Sequence, residues 1–399
     1  MKIVHLADLH VNHPKINPLN ISCAFMRHVL PELLDADFLV IAGDYFDSML
    51  HFNNSQSAEL AYRIFNSLVD MHEKNPKLKV RLLRGTFTHD RNQCELLRAV
   101  WYRKTVTNTS YDELLSADES MRYIDQISII PETIDDRTFY ILYLPDSLSQ
   151  YKDSYEVMDA VQEHLQHLKI DQVDFVVGHG YFDHRLPKGA LHQPKIVYTY
   201  DQFRRIVKHK VLMGHIHVHS GFENFIYYSG SFERLNHGEE EDKGFYVHEG
   251  SLDTGFTSRF VVNNFSTLFL TVTIPDEITD ISNAVLFVKE FIKKHFYKDE
   301  LHGYLRIKSN DTRFTELIAE GIKQEVPQDI IVVSVYRNKI KNEIITDLST
   351  VKFTGIVEVS VNCENLASLI TNYLKEANRL DTLKYEDIDS VVKSVFPEE

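Results

Sequence analysis

Met1-Lys2-Ile3-Val4-His5-Leu6-Ala7-Asp8-Leu9-His10 opens the chain, and its reading decides the fold. An apolar run ends, and an acid and an imidazole follow two residues apart. In an extended segment residues i and i+2 point to one face, so Asp8 and His10 can reach one site together. The same design returns four times. Phe38–Ala42 leads into Gly43-Asp44-Tyr45-Phe46-Asp47, and Val80–Leu83 leads into Gly85-Thr86-Phe87-Thr88-His89-Asp90. Phe175–Val177 leads into Gly178-His179-Gly180, and Val211–Met213 into Gly214-His215-Ile216-His217. Glycine beside such residues lets the backbone turn sharply. In open α/β sheets ligands bind at the carboxyl ends of the strands. Five strand ends spread along the chain can therefore converge on one place.

Taken singly, each fragment is bland. Gly-His is usually a loop, and the Asp of Gly-Asp is more often a turn or helix cap than a ligand. Gly-His-x-His says more, because two imidazoles on one face of a loop are rarely needed for packing. The ordered set of five carries the expectation of a metal centre. Carboxylate mixed with imidazole suits Mn²⁺, Fe²⁺ or Zn²⁺, whereas Ca²⁺ favours oxygen alone. Asp8, His10, Asp44, His179, His215 and His217 are too many ligands for one tetrahedral ion. They suffice for two ions about 3.5–4 Å apart if one carboxylate bridges them.

Composition narrows the field. The 399 residues leave room for two or three domains. With 43% hydrophobic and 25% charged residues, a disordered chain is excluded. No apolar run approaches the ~18 residues of a membrane-spanning helix. Cys23, Cys94 and Cys363 are too few and too scattered for a disulfide framework or a Cys-based zinc site. The 20 histidines leave imidazole and carboxylate as the metal donors. With 43 Lys+Arg against 58 Asp+Glu the net charge is −15, so any binding to DNA must be local or metal-mediated. The amino terminus leads straight into a strand without a targeting signal, and a reducing cytoplasm is the expected setting.

Short strands alternate with helical patterns over roughly the first 250 residues, which predicts an α/β architecture. Gln56–His72 reads as a helix, with Leu60, Ile64, Leu68 and Met71 at helical spacing. Phe225–Ser229 and Phe245–His248 are closer together and can pair antiparallel. A second unit begins near Phe265. Its strand Leu268–Ile274 is followed by a helix with Val285, Val288, Phe291 and Ile292 on one face, and then by strand Tyr304–Lys308. A helix with Phe314, Leu317 and Ile318 and strand Ile330–Tyr336 complete a β-α-β-α-β string. Two amphipathic helices close the chain, one with Leu366, Leu369, Ile370, Tyr373 and Leu374, the other with Ile388, Val391, Val392 and Val395.

In this order, Asp-x-His, Gly-Asp-x-x-Asp, a Gly…His-Asp element, Gly-His and Gly-His-x-His resemble the motif set of the calcineurin-like metallophosphoesterases. Tyr228-Ser229-Gly230-Ser231-Phe232-Glu233-Arg234, followed by Gly238–Phe245, resembles a segment of the SbcD-type DNA repair nucleases. Those are the bacterial and phage counterparts of the meiotic recombination eleven nuclease. The resemblance covers about residues 1–250. It implies a four-layer α/β/β/α sandwich at 1–262, a small α+β DNA-capping domain at 263–345 and a C-terminal helical docking segment at 346–399. It also implies two Mn²⁺ ions (or Fe²⁺ or Zn²⁺), a homodimer, an SMC-like ATPase partner of the SbcC type, and double- and single-stranded DNA ends as substrate. The setting would be a bacterial or phage-infected cytoplasm, with no membrane.

By family order Asp8, His10 and His217 hold one ion, His179 and His215 the other, and Asp44 bridges them. His89 is the expected general acid, and Asp90 orients its ring or caps the loop. Asp47 supports the site or caps a helix. The family's Asn before His-Asp is missing here: Thr88 stands in its place in a loop two residues longer, and Thr88, Asn92 or water is the substitute ligand. Arg204, Arg205, Lys208 and Lys210, and Lys293, Lys294 and Lys298, are basic clusters able to meet a DNA backbone or to form solvated faces. Two other readings are a metallophosphoesterase acting on another phosphodiester or a phosphoprotein, and a metal-poor scaffold.

Overall fold

Apolar strands that must bury both faces form stacked sheets, and the protein solves this with two. The computed structural model describes residues 1–50, 55–91, 93–105, 119–146, 150–186, 194–295, 303–309, 312–322 and 330–336. The first sheet has strand order β14-β13-β1-β2-β3-β4. These are β14 (Gly255–Val262), β13 (Gly244–Ser251), β1 (Lys2–Leu6), β2 (Phe38–Ala42), β3 (Lys79–Leu83) and β4 (Met121–Ile124). The second has order β11-β12-β10-β7-β6-β5. These are β11 (Ser220–Phe222), β12 (Ile226–Tyr228), β10 (Val207–Gly214), β7 (Val173–His179), β6 (Arg137–Leu144) and β5 (Ser128–Ile134). A two-stranded ribbon joins β8 (Tyr181–Phe182) to β9 (Val197–Tyr198).

Alternation along each strand makes four layers. Ile3, Ala7, Phe38 and Val40 meet Phe139, Ile141, Phe175 and Leu212 between the sheets. Val4, Leu6, Leu39 and Ile41 turn the other way, onto α1 (Pro18–Ala24), α2 (Leu30–Leu33), α3 (Ser55–Lys74) and α5 (Cys94–Thr105), with the short α4 (Phe87–Asp90) in the loop that follows β3. From that layer Ile64, Leu68 and Trp101 supply the covering side chains. Leu142, Val176 and Val211 pack on Val157, Val161 and Leu165 of α6 (Ser154–Leu168), beside the short α7 (Tyr200–Arg204). The expected α/β/β/α sandwich is the observed one. The buried Arg81 and Glu132 link the sheets with bonds of 2.6 and 2.8 Å.

Phe225–Ser229 and Phe245–His248 do not pair with each other. β12 lies parallel to β10 in the second sheet, while β13 lies antiparallel to β1 in the first. A separate three-stranded parallel sheet follows: β15 (Leu268–Thr273), β16 (Gly303–Ser309) and β17 (Ile330–Tyr336). With α8 (Ile281–His295) and α9 (Thr312–Ile322) it buries Val272, Ala284, Val288, Leu305, Ile307 and Ile318. Phe269 stacks on Tyr304, and the Tyr304 hydroxyl donates to the Lys15 carbonyl at 2.9 Å. Residues 346–399, with both expected tail helices, lie outside the described residues, as do Asn92, Lys298 and Cys363. Among the described residues no helix is long and apolar enough to cross a membrane.

His5, on the inward-facing alternation of β1, is buried and stacks on the buried His248 with ring centroids 5.7 Å apart. Burial holds the His5 ring at about 3, against an ordinary 6.5, and His248 is also pushed well down. Unfolded chains take up these protons below pH 6.5 while the fold resists them, so stability is lost from there down toward pH 3. The His5 ring accounts for about 2 kcal/mol between pH 7 and 5, and His248 adds to the loss in the same direction. Urea unfolding of His5→Leu at pH 7 and pH 5 should show a pH loss smaller than wild type by about that amount. An identical loss in both proteins would remove His5 as a source of acid sensitivity.

Candidate metal centre

Every strand end singled out in the sequence arrives at one edge of the sandwich. The first two loops zip together, with Asp8 N donating to Gly43 O at 3.0 Å, His10 N to Asp44 O at 3.1 Å and Val11 N to Tyr45 O at 2.9 Å. Asp8, His10, Asp44 and His215 all have positive φ: 51°, 48°, 49° and 92°. The first two therefore share a site through tight left-handed turns rather than through strand alternation. Asp and His tolerate that region better than most residues.

Three groups result, in each of which one ligand atom per residue lies within 4.8 Å of the others: Asp8, His10 and His217 in the first, Asp44, His179 and His215 in the second, and Asp47 and His89 with the shared His10 in a third. The first two hold the six expected ligands. In the first, His10 Nε2 and His217 Nε2 face each other at 3.2 Å. Their other nitrogens are backed by carboxylates: His10 Nδ1 lies 3.2 Å from Asp47 Oδ1, and His217 Nδ1 lies 3.5 Å from Glu239 Oε1. In the second, His179 Nδ1 donates to the Ala42 carbonyl at 2.8 Å, which turns Nε2 toward His215 Nδ1 at 3.1 Å and Asp44 Oδ2 at 3.3 Å. The clusters adjoin, because His215 N donates to both Asp8 oxygens at 2.9 and 3.1 Å.

Charges follow from this crowding. Burial raises the Asp8 carboxyl against the pull of His179 and His217. Burial would raise Asp44 as well, but His179 outweighs it and holds Asp44 well below the carboxylate range. Burial works against charge on His179, yet Asp44 and Asp8 lift that ring to about 10. His215, buried beside charged His179, falls to about 3. Imidazole nitrogens turned on one another, with carboxylates between, are satisfied by a shared proton or a divalent cation. This donor set of hard oxygen and imidazole fits Mn²⁺, Fe²⁺ or Zn²⁺.

His89 stands at the rim, its ring centroid 5.0 Å from that of His10. Its Nδ1 donates to the Asp47 carbonyl at 2.6 Å. Asp90 does not orient that ring. Its buried carboxylate accepts from Phe46 N at 2.9 Å and Gly85 N at 2.8 Å, tying the second loop to the third. Burial, with Asp44's charge added, pushes its carboxyl up to about 6. Asp90→Ala should strand two buried donors and destabilise the protein by about 2–5 kcal/mol in denaturant titration. An unchanged midpoint would return Asp90 to a purely catalytic part.

Thr88 is the second correction. It is exposed on α4, and Thr86 occupies the inner position. Thr86 N donates to Asp44 Oδ1 at 2.6 Å, and Thr86 Oγ1 lies 3.2 Å from Asp44 Oδ2 and 3.4 Å from His179 Nε2. Within this loop the helical turn of α4 carries Thr88 outward, so the residue just before His89 is not the one that reaches Asp44. Gly85 permits this approach, since a Cβ there would strike Asp44.

Sequence reasoning also missed the parts of Glu239 and Lys243, whose signal was the acidic run Gly238–Lys243. The Gly230–Arg234 segment braces the first cluster: Ser231 N donates to His217 O at 3.0 Å and Phe232 N to Asp8 O at 3.1 Å. Glu233 is buried, accepts from Thr267 N at 2.8 Å, and is raised to about 7 by burial. The first basic cluster is largely spent on structure. Lys210 is buried and donates to Asn224, Lys208 pairs with Asp174 at 3.2 Å, and Arg204 lies over Phe225. His13, His184 and His219 join neither cluster.

Residues 1–219 match the family model described as calcineurin-like phosphoesterase. No curated protein matches the chain.

Proposed function

The chain belongs to the calcineurin-like phosphoesterase family, and from that premise we propose that it is a Mn²⁺-dependent DNA nuclease acting on double- and single-stranded ends. The observation that carries the hydrolytic reading is the convergence of two Asp/His clusters beside His89. Asp8, His10 and His217 would hold one cation and His179 and His215 the other, with Asp44 shared between them. Cations held there would supply charge neutralisation on the phosphodiester and make water acidic enough to attack near neutral pH.

The chain's own residues set the rest. The two facing nitrogen pairs would mark where cations sit; the Ala42 carbonyl holds the His179 tautomer that exposes its Nε2 lone pair, and the Asp47 carboxylate stands 3.2 Å behind His10 Nδ1. Thr86 positions Asp44 through its backbone N–H. His89, held through Nδ1, is free at Nε2 to give a proton to the departing 3′ oxygen.

DNA as substrate is supported by the Gly230–Arg234 segment, which resembles that of the nucleases and braces the Asp8–His10–His217 cluster, and by the separate β15–β17 unit that follows the sandwich in sequence. On the same reading 263–345 is the cap, 346–399 docks an SMC-like ATPase, and the protein works as a homodimer in a bacterial or phage-infected cytoplasm. A second reading, a smaller phosphodiester, draws support from the net charge of −15 and from the internal pairing of Lys208 and Lys210. End-labelled duplex and single-stranded DNA, incubated with Mn²⁺ with and without the ATPase, should be shortened. Turnover of small phosphodiesters but no cleavage of either DNA in either condition would favour the second reading.

A further inference from the structure

We propose that Glu239 is a positioning residue for His217, and that it makes the Asp8–His10–His217 cluster the tighter of two divalent-cation sites. The inference rests on the two-cation reading above and goes beyond it by ranking the sites. An imidazole ligates through one nitrogen and keeps its proton on the other, so whatever faces that proton fixes the ring and tunes its basicity.

The two clusters differ in what stands behind them. His217 Nδ1 faces Glu239 at 3.5 Å and His10 Nδ1 faces Asp47 at 3.2 Å, so both rings of the first cluster are backed by carboxylates. In the second cluster His179 is backed by a neutral carbonyl, that of Ala42, at 2.8 Å. His215 turns Nδ1 toward His179, and its ring stands edge-on to Tyr181 with centroids 4.3 Å apart. The first site thus has Asp8 facing it plus a carboxylate behind each ring, whereas in the second, where Asp44 faces the rings and Asp146 acts on His179 through its charge, no carboxylate is paired with the far nitrogen of either ring. More negative charge behind the ligands means tighter hold on a dication.

Glu239 is itself fixed. Its Oε2 lies 2.8 Å from Lys243 Nζ and 3.4 Å from Leu235 N. Lys243 is buried, and its ammonium also donates to the His217 carbonyl at 3.0 Å and to Glu241 at 2.6 Å. One Glu–Lys pair therefore grips His217 at its ring and at its backbone. The Gly238–Lys243 run acquires a purpose that a solvated acidic loop would lack.

The test is calorimetric titration of the full chain with Mn²⁺, alongside thermal melting of the cation-free protein. Wild type should show two sites of unequal affinity. Glu239→Gln keeps the shape of the side chain and should weaken the tighter site by about 10- to 100-fold, leave the weaker within twofold, and barely move the cation-free melt. Asp47→Asn, changing the other backing carboxylate, should weaken the same site. His179→Ala should remove the weaker one. If Glu239→Gln and Asp47→Asn leave both affinities unchanged, or lower both equally, the positioning role is wrong while the two-cation reading stands. Wild type that takes up no Mn²⁺ at all would remove that reading and the ranking with it.

Discussion

Gly43→Ala should lower phosphodiester hydrolysis by about 10²–10³-fold while the sandwich still folds. Gly43 has φ +88°, a conformation that L side chains resist. The harsher constraint is space. A Cβ at this position would enter the His179 ring and come within 2.8 Å of Gly85 Cα. His179 holds its place through the Ala42 carbonyl, one residue before Gly43, so the ring has to swing or the loop has to lift. A lifted loop also pulls Gly43 O from Asp8 N, which disturbs the neighbouring cluster. Misplacement by about 1 Å is enough for a loss of this size. The check is a rate on a phosphodiester together with Mn²⁺ stoichiometry. A wild-type rate with both cations bound would mean that His179 does not depend on this contact.

Much of this was legible in the residues. The unit after Phe265 was read as β-α-β-α-β, and its strands fall within a residue or two of the expected places, because each apolar run there is short and bounded. The five strand ends were found because a polar ligand closing an apolar strand breaks the pattern visibly. β5 was missed because Pro131 and Glu132 interrupt its apolar alternation. The turn that pairs it with β6, Asp135-Asp136 with φ 48° and 62°, is a hairpin signal left unread.

Thr88 was assigned by its place just before His89, whereas the loop folds into a helical turn that puts Thr86 inward and Thr88 out. Of the two parts expected for Asp90, its bonds to Phe46 N and Gly85 N match the loop-capping one. Glu239 lies 22 positions after His217. Nothing in spacing alone says that an acidic run returns to back a ring, and only the close approach at Gly230, where a Cβ would meet the His217 carbonyl, reveals that the segment passes so near.

His89→Ala should keep the cations and lose cleavage by about 10²–10⁴-fold, and the loss should depend on the leaving group. His89 groups with His10 and Asp47 rather than with Asp8 or Asp44, so the six donors of the two facing-imidazole clusters remain in place without it. Its ring is fixed by the Nδ1 bond to the Asp47 carbonyl and stands edge-on to His10. With Nδ1 bonded there, Nε2 is the atom that gives up a proton when the ring is doubly protonated. A nucleoside 3′ oxygen leaves as a strongly basic alkoxide and needs that proton, whereas p-nitrophenolate leaves without one. Bis(p-nitrophenyl) phosphate hydrolysis should therefore fall much less in His89→Ala than cleavage of a DNA strand. Equal losses on both substrates would point to a role in binding the phosphate, and a fall in Mn²⁺ stoichiometry would make His89 a ligand instead. Because Asp47 meets His10 through its carboxylate and His89 through its carbonyl, one residue couples the ligand to the acid. Asp47→Asn tests that coupling, since it should weaken the cation site while leaving His89 anchored.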